Sequence, residues 1–190
     1  RQRRDRLRLR PPPLEGPCSW LVIPANRSRL SPVNFQDTQL IGVLARAEST
    51  VSSLSDLLGG LVEKFAARGY SLYLVGGSVR DALLGRLGND LDFTTPARPD
   101  VVKEILDEWA ETVWDTGIDF GTVSAAYKGQ QIEITTFRSD SYDGQSRNPE
   151  VVYGDTLEGD LVRRDFKVNA MAIELLADAS FTFHDPLHGC

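Results

Sequence analysis

Leu74–Thr95, LVGGSVRDALLGRLGNDLDFTT, is the stretch from which the rest of the chain can be read. Leu72–Val75 is short, apolar and followed by glycine, which is the pattern of a buried strand. Gly76, Gly77 and Ser78 come next and open a short amphipathic helix over Val79–Leu84. Gly85 to Asn89 makes a turn, and Asp90-Leu91-Asp92-Phe93 then alternates as a second strand. Residues i and i+2 of a strand point the same way, so Asp90 and Asp92 present two carboxylates side by side. Adjacent like charges repel, and aspartate is a poor strand former. A hard divalent cation such as Mg²⁺ removes that conflict, because it is held by one or two carboxylates together with substrate phosphates. The glycine turn offers backbone N–H groups at a helix start, which suit an anion. A phosphate cradle and a pair of metal carboxylates therefore fall on consecutive elements.

The bulk numbers bound this reading. A chain of 190 residues, 41% apolar and 25% charged, can bury one core of ordinary size. The net charge of −6 gives no overall basic footprint for nucleic acid, so an RNA partner would need a local basic face. Cys18 and Cys190 lie at opposite ends, which argues against a disulfide framework or a zinc cluster and favours a reducing, cytoplasmic setting. No apolar run of about 18 residues is present, so no membrane span is expected. The arginines at the start are not followed by the apolar region of a secretory signal. The chain begins at Arg1, has Met171 as its one methionine and stops just after DPLHG, so it reads as part of a longer protein. No stable protein partner is evident.

Residues 1–37 do not look domain-like. RQRRDRLRLR carries six arginines and one aspartate, then three prolines follow, which predicts a disordered arm ahead of a domain over 38–190. Gln39 to Arg68 reads as helix in two pieces, with Leu54, Leu57, Leu58, Leu61, Val62 and Phe65 on one face and Gly69 as its stop. Pro99 starts another helix, to about Ala110. Glu111 to Trp114 reads as a short strand. Gly121–Tyr127 and Gln131–Thr136 read as a hairpin joined at Lys128-Gly129-Gln130, with Glu133 mid-strand between Ile132 and Ile134. Residues 139–155 form a long polar loop, of a length that is usually functional or disordered. Thr156 caps a short helix to Arg164, and RRDFKVNAMAIEL passes from helix to strand.

Nucleotidyl transfer fits these parts. Two metals about 3.5–4 Å apart, held by shared carboxylates, polarise the phosphate and help deprotonate the attacking hydroxyl. Asp90 and Asp92 are the candidate metal ligands, with Glu133 on a neighbouring strand as a third catalytic carboxylate. Gly76, Gly77 and Ser78 are candidates for gripping phosphate. Arg80, one helical turn on, could fork onto phosphate oxygens. Arg163 and Arg164 add positive charge, and Asn169 offers an amide to sugar or phosphate. Each feature alone has a plainer explanation. The glycines could form a tight turn, the aspartates a capped turn, and Arg163-Arg164-Asp165 a surface ion-pair cluster. Their order and spacing together favour the chemistry.

This joint pattern resembles the polymerase-β-like nucleotidyltransferases. Within them it is most similar to the class II tRNA nucleotidyltransferases (CCA-adding enzymes) and related bacterial poly(A) polymerases. LVGGSVRDALLG resembles the family's glycine motif and DLDFTT its metal motif. EITTFR, Glu133 to Arg138, resembles the third-carboxylate strand. RRDFKVNAMA, Arg163 to Ala172, resembles the ribose- and triphosphate-contacting motif, and DPLHG the motif closing the catalytic head. VWDTGIDFGTV and the SDSYD…RNPEV loop look most like the actinobacterial branch. The resemblance implies an α+β head, a small mixed β-sheet with helices packed on one side. It implies Mg²⁺ as cofactor, ATP and CTP as substrates, and the 3′ end of tRNA as acceptor. It adds Arg138 and Asp165 to the nucleotide-binding candidates. The family usually has threonine where Lys167 stands and often glycine where His188 stands. It also implies a base-reading helix and tRNA-holding domains beyond this point, so CCA, CC, A and poly(A) addition stay open.

Other readings fit less well. A dinucleotide-binding domain needs G-x-G-x-x-G with an acid about 20 residues on, and a P-loop needs G-K-[ST]. His184-Asp185 lacks the further histidines of an HD phosphohydrolase. A nucleotide-binding module without turnover remains the non-enzymatic alternative.

Overall fold

The computed structural model describes residues 20–23, 35–139, 152–178 and 180–188. In chain order these form β1 (Trp20–Ile23), α1 (Phe35–Ala67), β2 (Leu72–Val75), α2 (Gly77–Leu83), β3 (Asp90–Thr95), α3 (Pro99–Asp107) and β4 (Thr112–Trp114). A 3-10 turn at Ile118–Phe120 leads to β5 (Thr122–Tyr127), β6 (Gln130–Thr136), β7 (Arg138–Ser139), β8 (Val152–Tyr153) and α4 (Leu157–Val162). A second 3-10 turn at Lys167–Asn169 precedes β9 (Ala172–Leu175) and β10 (Phe181–His184). Eight strands make one sheet in the order β1-β10-β9-β2-β3-β6-β5-β4. Neighbours are antiparallel except β3 and β6, which run parallel, so the sheet is mixed as expected.

Alternation divides the two faces. Leu72, Leu74, Leu91, Phe93, Ile132 and Ile134 point to one side and are almost fully buried beneath α1, α2 and α3. Helix α1 supplies Val51, Leu54, Leu58, Leu61, Val62 and Phe65 to this core. Each such side chain contributes about 1.5–3 kcal/mol by leaving water. The opposite face carries a smaller apolar patch, in which Leu157 and Leu161 of α4 cover Tyr73, Val75 and Ala172. Thr156 caps α4 as read, its Oγ1 accepting from the Gly159 amide at 3.2 Å.

Several expectations change. The helix read as two pieces is one, Phe35–Ala67. No proline interrupts it, and although Gly59-Gly60 costs about 1 kcal/mol per residue, the flanking Leu58 and Leu61 are fully buried and outweigh that cost. A Cβ at position 60 would lie 3.4 Å from Nε1 of Trp109, in ordinary contact, which shows how near the helix lies to the residues after α3. Paired amides of Gly69 and Tyr70 close the helix on the carbonyls of Ala66 and Phe65. The hairpin joint has two residues, not three. Gln130 belongs to β6, and Lys128 and Gly129 both take positive φ, as the centre of a type I′ turn does.

Trp20–Ile23, inside the segment expected to be an arm, instead pairs with β10 as the edge strand. The remainder of residues 1–34 lies outside the described residues. In the loop read over 139–155, Arg138–Ser139 pairs with Val152–Tyr153, and residues 140–151 lie outside the described residues. Strand β10 was not anticipated, since four residues give too short a pattern to separate from a turn. Among the described residues no helix is long and apolar enough to cross a membrane.

Candidate functional site

The site lies on the sheet face opposite the main core. Asp90, Asp92 and Thr94 project there from β3, and Gln131, Glu133 and Thr135 from β6. The parallel register sets Asp92 directly beside Glu133 and Asp90 beside Gln131. Three carboxylates thus share one face across two strands. Partial burial, chiefly, pushes the Asp92 carboxyl above the ordinary aspartate range. Glu133 and Asp90 add to the rise, and Arg164 opposes it.

The bend after β2 sits at the centre. Gly76 has φ 66° and ψ −139°, a conformation that side-chain-bearing residues rarely adopt. A Cβ on Gly76 would lie 3.5 Å from Nη1 of Arg164 and 3.8 Å from Oδ2 of Asp92. This bend therefore lies between the carboxylates and a cluster of arginines.

Gly76 and Gly77 help line an open cavity of about 550 Å³, with Asp92, Arg138, Arg163, Arg164, Asp165 and Asn169 also on its walls. The guanidinium of Arg138 is half-buried. Burial, and then the neighbouring Arg163, pull its pKa below the usual arginine range, and Asp160 works against that. Nε of Arg138, Nε of Arg164 and Oδ1 of Asn169 are buried and make no hydrogen bond within the protein. Buried polar atoms left unmatched are costly. Three arginines and an amide on the wall of one cavity suit a polyanion carrying hydroxyl groups.

Eight sequence candidates thus come together on the cavity: Gly76, Gly77, Asp92, Arg138, Arg163, Arg164, Asp165 and Asn169. Asp90 and Glu133 stand next to it on the same sheet face. Two candidates turn elsewhere. Ser78 is buried, and its hydroxyl accepts from the Asp92 amide at 3.0 Å and donates to the Asp90 carbonyl at 3.4 Å. Through these two bonds it fastens the start of α2 to β3. Arg80 forks onto its neighbour Asp81 at 3.0 and 3.3 Å and does not line the cavity. An acid directly adjacent in sequence is the nearer partner for that guanidinium.

Sequence reasoning missed Asp160 and Phe166. Asp160 lies at the cavity only 2% exposed, and Phe166 lines the cavity while 66% exposed. Asp160 stands three and four residues before Arg163 and Arg164, and that ion-pair spacing on a helix was the available signal.

Among the described residues no group of three or more His, Cys, Asp or Glu side chains forms a ready-made metal cage. The donor set on β3 and β6 is nevertheless all oxygen, and the Asp92 carboxyl is held in a field of like charge that a cation would relieve. That suits a cation such as Mg²⁺, which takes one or two carboxylates and completes its shell with phosphate and water.

Residues 72–190 match the model of the poly A polymerase head domain. A CCA-adding enzyme of Listeria monocytogenes is 43% identical over 130 residues, covering 68% of this chain and 31% of that protein. The crystal structure of the Bacillus stearothermophilus CCA-adding enzyme in complex with CTP aligns with a TM-score of 0.55 at 36% identity, over 71% of this chain and 30% of that one. A tRNA nucleotidyltransferase complexed with a primer tRNA and an incoming ATP analog aligns with a TM-score of 0.54 at 29% identity, over 68% and 35% respectively. The chain spans about a third of the length of these curated relatives.

Proposed function

Since this chain belongs to the poly A polymerase head-domain family, we propose that it is the catalytic head of a CCA-adding enzyme. It would transfer CMP and AMP from CTP and ATP to the 3′ end of tRNA. The observation that carries this reading is the parallel register of β3 and β6, which sets Asp92 beside Glu133 while the Gly76 bend brings Arg164 close to Asp92.

Asp90 and Asp92 are the residues that would hold Mg²⁺, with Glu133 beside them. When bound, the cation supplies polarisation of the reacting phosphate and activation of the attacking hydroxyl. The chain's own groups do the rest. Gly76 and Gly77 carry no side chain, so the polyphosphate can approach the backbone. Arg138, Arg163 and Arg164, on the wall of the cavity, offset the charge that accumulates on the departing pyrophosphate. Asn169, on the cavity wall, offers its amide to a sugar hydroxyl. The tRNA 3′-hydroxyl would enter from the Asp90 and Glu133 side, opposite the arginines, which places nucleophile and leaving group at opposite ends of the site.

The test is a chimera in which residues 72–190 replace the matching segment of the Listeria CCA-adding enzyme. Magnesium-dependent incorporation of labelled CMP and AMP onto tRNA lacking its CCA end is expected. A folded chimera that incorporates neither nucleotide, beside an active parent, would reject the proposal.

A further inference from the structure

The cavity's arginines pose a problem that their own chemistry does not solve. Arg138, Arg163 and Arg164 come from two separate segments and crowd one half-buried region, where like charges should splay the side chains toward water. They are held together by Asp160, which is 2% exposed. Its Oδ1 accepts from the backbone amide of Arg138 at 3.1 Å and lies 3.7 Å from Nε of Arg163. Its Oδ2 takes Nη2 of Arg164 at 3.0 Å and lies 3.3 Å from Oγ1 of Thr94.

Thr94 is the next residue after Asp92 on the same face of β3, and its hydroxyl also reaches the Thr135 carbonyl of β6 at 3.0 Å. One carboxylate therefore ties the strand bearing the acids to the segments bearing the arginines. It engages only part of each arginine, because Nε of Arg138 and Nε of Arg164 remain buried without a partner.

The geometry points to Asp160 as a positioning residue for a triphosphate. It anchors Arg164 and the Arg138 backbone from below, which holds both arginines on the cavity wall that they share with Asp92. Asp160 itself does not take part in the reaction, and its four neighbours occupy its two oxygens. This inference rests on the reading of the cavity as a nucleotide site.

Binding of tripolyphosphate and of CTP to the 190-residue chain, in excess magnesium chloride, tests it by titration calorimetry alongside thermal melting. Asp160→Asn is expected to weaken both ligands about tenfold, because the amide turns a donor toward Arg164 and removes the charge that holds it. Arg164→Lys should weaken binding alone, yet add little when combined with Asp160→Asn, since the two act as one unit. A purely structural role would lower the melting temperature and leave the affinity of the folded chain unchanged.

A folded Asp160→Asn chain with wild-type affinity for both ligands overturns the inference, and so does full additivity with Arg164→Lys. Should Asp160→Asn fail to fold, Thr94→Val replaces it. It is expected to weaken tripolyphosphate about threefold, and unchanged affinity overturns the inference. A wild-type chain that binds neither ligand would overturn the nucleotide reading and this inference together, a result distinct from an unaffected variant.

Discussion

Asp90, Asp92 and Glu133 come from two strands locked side by side, whereas Arg138, Arg163 and Arg164 come from a strand end and the turn after α4. Burial chiefly, with Glu133 and Asp90 adding to it, drives the Asp92 carboxyl upward in pKa, and Arg164 works against that rise. The arginines have a buried counter-ion, Asp160, fixed among them. One half is left electrostatically open, as a site for an external cation would be, while the other is partly neutralised by Asp160. The contrast is one of charge balance: little compensates the carboxylates, whereas a buried carboxylate sits among the arginines.

Removing the open half should have the largest effect. Asp90→Ala or Asp92→Ala in the chimera is expected to lower nucleotide incorporation about 10³-fold, on the order of 4 kcal/mol of transition-state stabilisation. Equal activity would remove the carboxylates from the chemistry. The joint between the halves comes next. Gly76→Ala should destabilise the chain by about 1–3 kcal/mol through backbone strain, read by denaturant unfolding. A neutral result would mean that the bend can relax without moving Asp92 or Arg164.

On the arginine half, Arg164→Lys should weaken CTP about tenfold with little change in melting temperature, measured by calorimetry. The smallest effect separates the halves by pH. Burial and Glu133 raise the Asp92 pKa, so its ionisation costs folding free energy once the pH exceeds the folded value. Below the ordinary 3.8 the carboxyl is protonated in both states and the cost vanishes. In metal-free buffer, Asp92→Asn should therefore melt about 1–2 °C higher than wild type at neutral pH, with the gain disappearing in acid. A constant difference across pH would show that charge is not the cause.

The two halves also differ in how legible they were. Strand alternation alone put Asp90 and Asp92 on one face, and the Ile132-Glu133-Ile134 pattern put Glu133 on the polar side of its strand. What alternation cannot give is that β3 and β6 are neighbours in parallel, because their pairing depends on the α3–β4–β5 crossover. On the arginine side, RRDF gave the residue types but not their support. Asp160 reads as one more acid in a short polar helix until the fold brings Thr94 and the Arg138 amide onto it. Ser78 and Arg80 show what spacing leaves out. Their spacing from the glycines suggested phosphate contact, yet local partners, the β3 backbone and Asp81, take those side chains first. The long helix was legible in its apolar face but not in its continuity, since burial of Leu58 and Leu61 overrides the glycine pair between them.

If Asp90, Asp92 and the arginine cavity form a single site, a cation and a nucleoside triphosphate bind there together. Manganese electron paramagnetic resonance on the 190-residue chain tests it directly, by titrating Mn²⁺ with and without CTP. The account predicts that CTP strengthens Mn²⁺ binding and that Asp90→Asn with Asp92→Asn abolishes that gain. Tight Mn²⁺ binding that ignores both CTP and the two substitutions would contradict it.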